Sequence, residues 1–181
     1  MFFDEQGPFA QTARDLIRSL RAAAIEHVFV GAVACKAHGG APGQEKIEFC
    51  VREPDRERFR ETFAGREFEL LPGQSTRYCH PRTQVRIELL VSGQVAGDRL
   101  RQQEVRWPDP AEAEWIDGVP VAPLARLLEL ELASWRPEQW RAAAKLIAVR
   151  GLDLSFAERL HPVVRAAYAE CRELTRGRTG V

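Results

Sequence analysis

GAVACKAHGGAPGQEKIEFCV, residues 31 to 51, is the stretch on which the reading of this chain turns. The hydrophobic run Val28-Phe29-Val30 leads into Gly31 as a short buried strand. A brief helical turn over Val33 to Ala37 is expected next, then a loop through Gly39, Gly40, Ala41, Pro42 and Gly43. Ile47 to Val51 forms a second strand. Its period of two puts Ile47, Phe49 and Val51 on one face and Lys46, Glu48 and Cys50 on the other. A strand that held metal would be expected to carry carboxylates at alternate positions of its polar face, and here those positions are Lys46 and Glu48.

Outward from that stretch the punctuation is regular. Residues 10 to 24 carry Ala13, Leu16, Ile17 and Leu20 at helical spacing, which predicts a first helix. Pro54 and Asp55 open a charged helix that stops at Gly65. Strands are expected at Phe68 to Leu71, near Arg77-Tyr78, and most clearly over Val85 to Val91. That last strand sets Val85, Ile87, Leu89 and Val91 against Arg86, Glu88 and Leu90. A hairpin is expected around Asp117-Gly118. The chain is then helical: Pro123 and Pro137 each start a helix, the second ending at Gly151. Ser155 and Glu158 have the capping-box form for a third helix, which Pro162 restarts or kinks, and residues 175 to 181 read as a frayed tail. Strands first and helices last predict an α+β fold, a mixed β-sheet flanked by helices. The expected division is a core over residues 1–122 and a C-terminal helical subdomain over 123–181 packed on it.

Composition narrows the function classes. The chain has 181 residues, enough for a substantial core, and its 26 acids balance 26 bases. That balance indicates neither nucleic acid nor an anionic membrane as partner. MFFDEQGP lacks the basic start and apolar centre of a signal peptide, and no apolar run is long enough to span a bilayer, so a cytoplasmic location is expected. Cys35, Cys50, Cys79 and Cys171 lack paired short spacings and read as free thiols, at least two of them buried. The Cys35/His38 and Cys79/His80 spacings are too poor to predict a metal site. Trp107, Trp115, Trp135 and Trp140 are spaced as packing residues and not as a base-stacking platform. Arg52, Arg56, Arg58 and Arg60 alternate with acids as a solvated helix face.

The order of parts resembles the nucleotidyltransferase fold, in particular its small AbiEii-like and antibiotic-nucleotidyltransferase-like branch. Gly31-Ala32-Val33-Ala34 is similar to the family's Gly-Gly-x-Ala opening, and His38-Gly39 to its central His-Gly. The second strand stands where the family carries Arg-x-Thr-x-Asp-Ile-Asp. Residues 85 to 91 resemble the later strand bearing a third acid, at Glu88, and residues 116 to 153 resemble the family's C-terminal helices. The likeness runs over about residues 10 to 153 through its colinear order, not through one specific motif. It implies a nucleotidyltransferase-like mixed sheet, with Gly31, Ala32, His38 and Lys46 as nucleotide-binding positions and Glu48 and Glu88 as vestigial catalytic positions.

The departures fall on the chemistry. Pro42, Gln44, Lys46 and Glu48 replace the family's Arg, Thr and both Asp residues, and Glu131 stands where Lys is common. Nucleotidyl transfer uses two divalent cations about 3.5–4 Å apart, held by convergent carboxylates. An ammonium supplies no oxygen ligand. If Lys46, Glu48 and Glu88 converge, a compact ion cluster replaces a metal-centred one. Otherwise Lys46 and Glu48 form a solvated strand face, and His38 a structural residue of an ordinary turn. The expectation is a degenerate member, a pseudoenzyme acting through a nucleotide or a protein partner and needing no cofactor. The alternatives are an active enzyme using Mg²⁺ and NTP, with Glu48, Glu88 and a third acid at Glu45 or Asp98, and a purely structural domain.

Overall fold

The computed structural model describes residues 6–42, 46–96 and 104–176. Gln44, Glu45 and Asp98, the end of the glycine-rich loop, and the tail beyond residue 176 lie outside them, so the expectations at those positions are not addressed by the structure.

Helix α1 (Pro8–Ala22) begins with a proline in its first turn and buries Ala13, Leu16, Ile17 and Leu20, the expected stripe. Strand β1 (Val28–Val30) is followed directly by α2 (Gly31–Ala37), a helix two residues longer at its start than the expected turn. Then come β2 (Ile47–Val51), α3 (Glu53–Phe63), β3 (Glu69–Leu70), β4 (Arg77–Cys79) and β5 (Arg86–Val91). The hairpin is β6 (Glu114–Ile116) and β7 (Val119–Val121), and α4 (Leu124–Ala133), α5 (Pro137–Val149) and α6 (Arg165–Arg176) finish the chain.

The strands form one mixed sheet in the order β3-β4-β5-β2-β1-β7-β6. Its centre positions the site. β2 runs antiparallel to β1, with Val30 opposite Glu48, and parallel to β5, with Glu48 opposite Glu88. β4 runs antiparallel to β5 and brings Arg77 opposite Glu88. Because β2 and β5 are parallel and in register, Ile47, Phe49 and Val51 lie beside Ile87, Leu89 and Val91. Phe59 of α3 packs on this apolar face, its ring 5.4 Å from Phe49, 5.9 Å from Phe68 and 5.1 Å from Tyr78. These rings are fully or almost fully buried. Burial of each aromatic side chain contributes about 1.5–3 kcal/mol, and their tilted, stacked and edge-on contacts add about 0.5–1.5 kcal/mol per pair.

The C-terminal helices bury Leu127, Leu128, Leu132, Leu146 and Ile147, which join the sheet residues in one apolar cluster. Two local expectations are corrected. The capping box at Ser155 does not start an α-helix: Asp153 is the cap, accepting from the Ser155 N–H at 2.9 Å, and residues 154–159 form a 3₁₀ segment. A second short 3₁₀ turn at Pro162 then feeds α6. The tryptophans are not uniformly packing residues either. Trp115 is 65% exposed on the edge strand β6, and Trp135 is 47% exposed in the connection between α4 and α5. The arginines of α3 pair with acids three residues earlier, as Arg56 with Glu53 and Arg60 with Glu57, which makes a solvated face. All four cysteines are buried thiols.

Candidate functional site

The polar face of β2 and β5 looks into a cleft of about 660 Å³, closed on the far side by α4 and the start of α5. At its floor the Lys46 ammonium donates to Glu48 Oε1 at 2.8 Å and to Glu88 Oε2 at 2.9 Å. Arg77 Nε donates to the second oxygen of Glu88 at 3.0 Å. The geometry follows from register: Glu48 and Glu88 are cross-strand neighbours on one face, and Lys46, two residues before Glu48, shares that face. Gly31 completes the floor. Its φ is +53°, a left-handed conformation, and a Cβ there would collide with Glu48 Oε2. A side chain at this position would be strained by its backbone and would press on the carboxylate that Lys46 holds.

Electrostatics in the cluster follow partnering against burial. Burial disfavours the Lys46 ammonium, yet Glu48 and Glu88 outweigh it and raise its pKa, so Lys46 is charged. Burial likewise pushes Glu88 up, but Lys46 and Arg77 prevail and hold it below the usual carboxylate value. Glu48 is the most enclosed of the three. Its burial wins over the pull of Lys46, and its pKa lies above that of an ordinary glutamate.

A third carboxyl enters from α4. Glu131 is only 7% exposed and lines the cleft, and its carboxyl makes no hydrogen bond among the described residues. Burial, reinforced by the nearby Glu48 and opposed by Lys46, pushes its pKa up to about 8. Its neighbour two residues earlier supplies the contrast. Glu129, equally buried, accepts from Arg126 at 2.8 Å and from the His161 backbone N–H at 2.7 Å. One buried glutamate is fully committed to structure; the other faces open space.

The wall beside Glu131 is the α4–α5 connection. Trp135 has φ +57°, an outlier for a bulky residue that costs on the order of 1–3 kcal/mol, and its half-exposed ring lies 5.8 Å from that of Trp140. Arg136 follows it into the cleft lining, and Gln139 presents a buried side-chain oxygen with no partner.

Lys46, Glu48, Glu88 and Gly31, singled out from the sequence, therefore converge. Ala32 is buried and borders only a small recess behind Glu48 and Glu131. His38 is not brought to the cleft: it is 3% exposed and its Nε2 lies 2.9 Å from the Ala122 carbonyl oxygen, a structural contact. Cys79 and His80 lie at β4, three strands from β1 in the sheet, and His80 pairs with Asp15 at 3.3 Å. Trp135, Arg136 and Gln139 were not legible as site residues. The only advance signal was Glu131, an acid on an otherwise apolar helical stripe.

The donor set at the floor does not fit a divalent cation. Magnesium needs near-octahedral oxygen ligation, and here an ammonium already occupies the space between Glu48 and Glu88. Among the described residues, no helix is long and apolar enough to cross a membrane. No protein-family model matches the chain, and no curated protein matches it.

Proposed function

We propose that this chain is a nucleotidyltransferase-like protein that binds a nucleotide in the β2–β5 cleft without catalysing metal-dependent transfer. The observation that carries the reading is Lys46, held at 2.8 and 2.9 Å between two carboxylates that face each other across parallel strands. Two carboxylates so placed are the arrangement that grips catalytic cations, and a lysine between them supplies the positive charge internally. A volume of about 660 Å³ suits a nucleotide-sized ligand. The cleft also combines an exposed indole, a guanidinium and uncommitted polar groups, a largely polar lining that can orient a small polar molecule. The colinear resemblance of residues 10 to 153 to the nucleotidyltransferase fold supports the same reading.

The test is transfer from labelled NTPs in Mg²⁺ or Mn²⁺, comparing the natural chain with a Lys46→Asp/Glu48→Asp double variant. The natural chain is expected to label no acceptor above background, and any activity is expected only in the double variant. Strong labelling by the natural chain that Glu48→Ala abolishes would overturn the proposal. Binding is read separately, as a rise in melting temperature on adding nucleotide, since a ligand held only by the folded state stabilises it.

A further inference from the structure

The floor and the wall of the cleft differ in what they leave available. Of the three cations lining it, Lys46 is spent on Glu48 and Glu88, and Arg77 on Glu88. Arg136 makes no contact ion pair among the described residues, although its charge acts on Glu48 as the weakest of the influences there. One guanidinium without a contact partner can offset much of one phosphate group, which carries about −1.5 to −2 charges at neutral pH. It cannot offset a triphosphate, whose remaining charge would face Glu48 and Glu88 with no metal between. The uncommitted polar groups all lie on the same wall. Glu131 is more than nine-tenths buried with an unpartnered carboxyl turned to the cleft, and the Gln139 oxygen is buried and unpartnered in the first turn of α5. Buried polar groups are normally satisfied, so the unsatisfied Gln139 oxygen, beside a Glu131 carboxyl without a hydrogen-bond partner in the protein and an exposed, backbone-strained tryptophan, marks a place built for a ligand.

Resting on the nucleotide-binding reading above, we infer that Glu131, Trp135, Arg136 and Gln139 form a base-reading wall for a nucleoside monophosphate bound without metal. The base lies against Trp135, its N–H groups and ring nitrogens meet Glu131 and Gln139, and the single phosphate pairs with Arg136. A glutamic acid that keeps its proton at neutral pH is suited to this role, because it both donates to and accepts from a base edge.

Isothermal titration calorimetry of the full chain with AMP, GMP, CMP and UMP, and with the matching triphosphates, in EDTA and in Mg²⁺, tests this. At least one monophosphate is expected to bind in EDTA about tenfold or more tighter than its triphosphate. Arg136→Gln should weaken that binding by about tenfold or more, the loss of a charge-assisted contact. Trp135→Asn, a residue that tolerates the left-handed backbone, should weaken it by roughly 5- to 150-fold, the range of base–aromatic stacking. Gln139→Leu removes an acceptor that has no partner in the protein, so it should weaken binding without lowering the melting temperature. Tighter binding of a triphosphate that requires Mg²⁺, or monophosphate binding indifferent to Arg136→Gln and Trp135→Asn, overturns the wall and leaves the nucleotide reading standing. No binding of any nucleotide overturns both.

Discussion

The two faces of the β2–β5 strand pair are built from alternate residues of the same segments, yet they are stabilised by different physics. One face carries Ile47, Phe49, Ile87 and Leu89 beneath Phe59, with many redundant apolar contacts and no directional requirement. The other carries Glu48 and Glu88 around one ammonium, with two hydrogen bonds at fixed distances and a third carboxyl, Glu131, left without a partner. The apolar face loses stability in proportion to what is removed. The polar face depends on a single group, and its stability depends on pH.

Breaking the apolar face should give the largest effect. Phe59→Ala removes a fully buried ring that touches Phe49, Phe63, Phe68 and Tyr78, and is expected to cost about 3–5 kcal/mol in denaturant unfolding. A loss below 1 kcal/mol would show that this face repacks freely and would erase the contrast.

Breaking the polar face comes next. Lys46→Ala leaves Glu48 and Glu88 facing each other with Arg77 on Glu88 and the weaker pull of Arg136 on Glu48 for compensation, and should cost about 3 kcal/mol near neutral pH. Adding Glu48→Gln should recover much of that loss, and non-additivity in the double-mutant cycle is the measure. The sign with pH follows from the shifts. Glu88 is depressed in the folded state, so its stabilising contribution is present above the ordinary glutamate value and is lost as pH falls through the lower folded value. Lys46 is raised, so its contribution persists below the ordinary lysine value and disappears as pH climbs through the higher folded one.

Glu131→Gln sharpens the comparison with the smallest expected change, and in the opposite direction. With a folded pKa of about 8 against an ordinary 4.5, the folded state holds a proton that the unfolded chain releases. Stability therefore declines as pH rises from about 4.5 to 8 and is level above. A shift of that size sets a ceiling of roughly 5 kcal/mol, of which the amide should recover on the order of 2 kcal/mol, the remainder being shared with Glu48. The variant should melt higher than the natural chain at pH 9 and close to it at pH 5. Equal melting at both values would mean that Glu131 is not strained by its site.

Much of the floor is legible in the sequence because strands obey a strict alternation. Once residues 47 to 51 and 85 to 91 are strands, Glu48 and Glu88 each lie opposite their apolar neighbours, and only the pairing of the two strands remains open. The wall was not legible. Trp135 reads as a packing residue and Gln139 as an unremarkable helix position, since nothing local distinguishes a ring that fills a core from one that borders a cleft. The helix expected at Ser155 failed for a related reason: Asp153, two residues earlier, also offers a cap, and local patterns do not decide between competing caps.

The sequence by itself determined the strands and α-helices of the sheet layer and of α4 and α5, their apolar faces and the identity of the charges on β2 and β5, because period and residue chemistry are local properties. Tertiary structure alone decided that β2 and β5 are parallel neighbours in a register that sets Glu48 beside Glu88, and that Lys46 spans them instead of reaching solvent. It alone decided that His38 turns to the Ala122 carbonyl while Glu131 is buried beside Glu48. The reason is range: hydrogen-bond partners and desolvation are set by groups distant in sequence, and they exist only once the strands and the α4–α5 wall have packed.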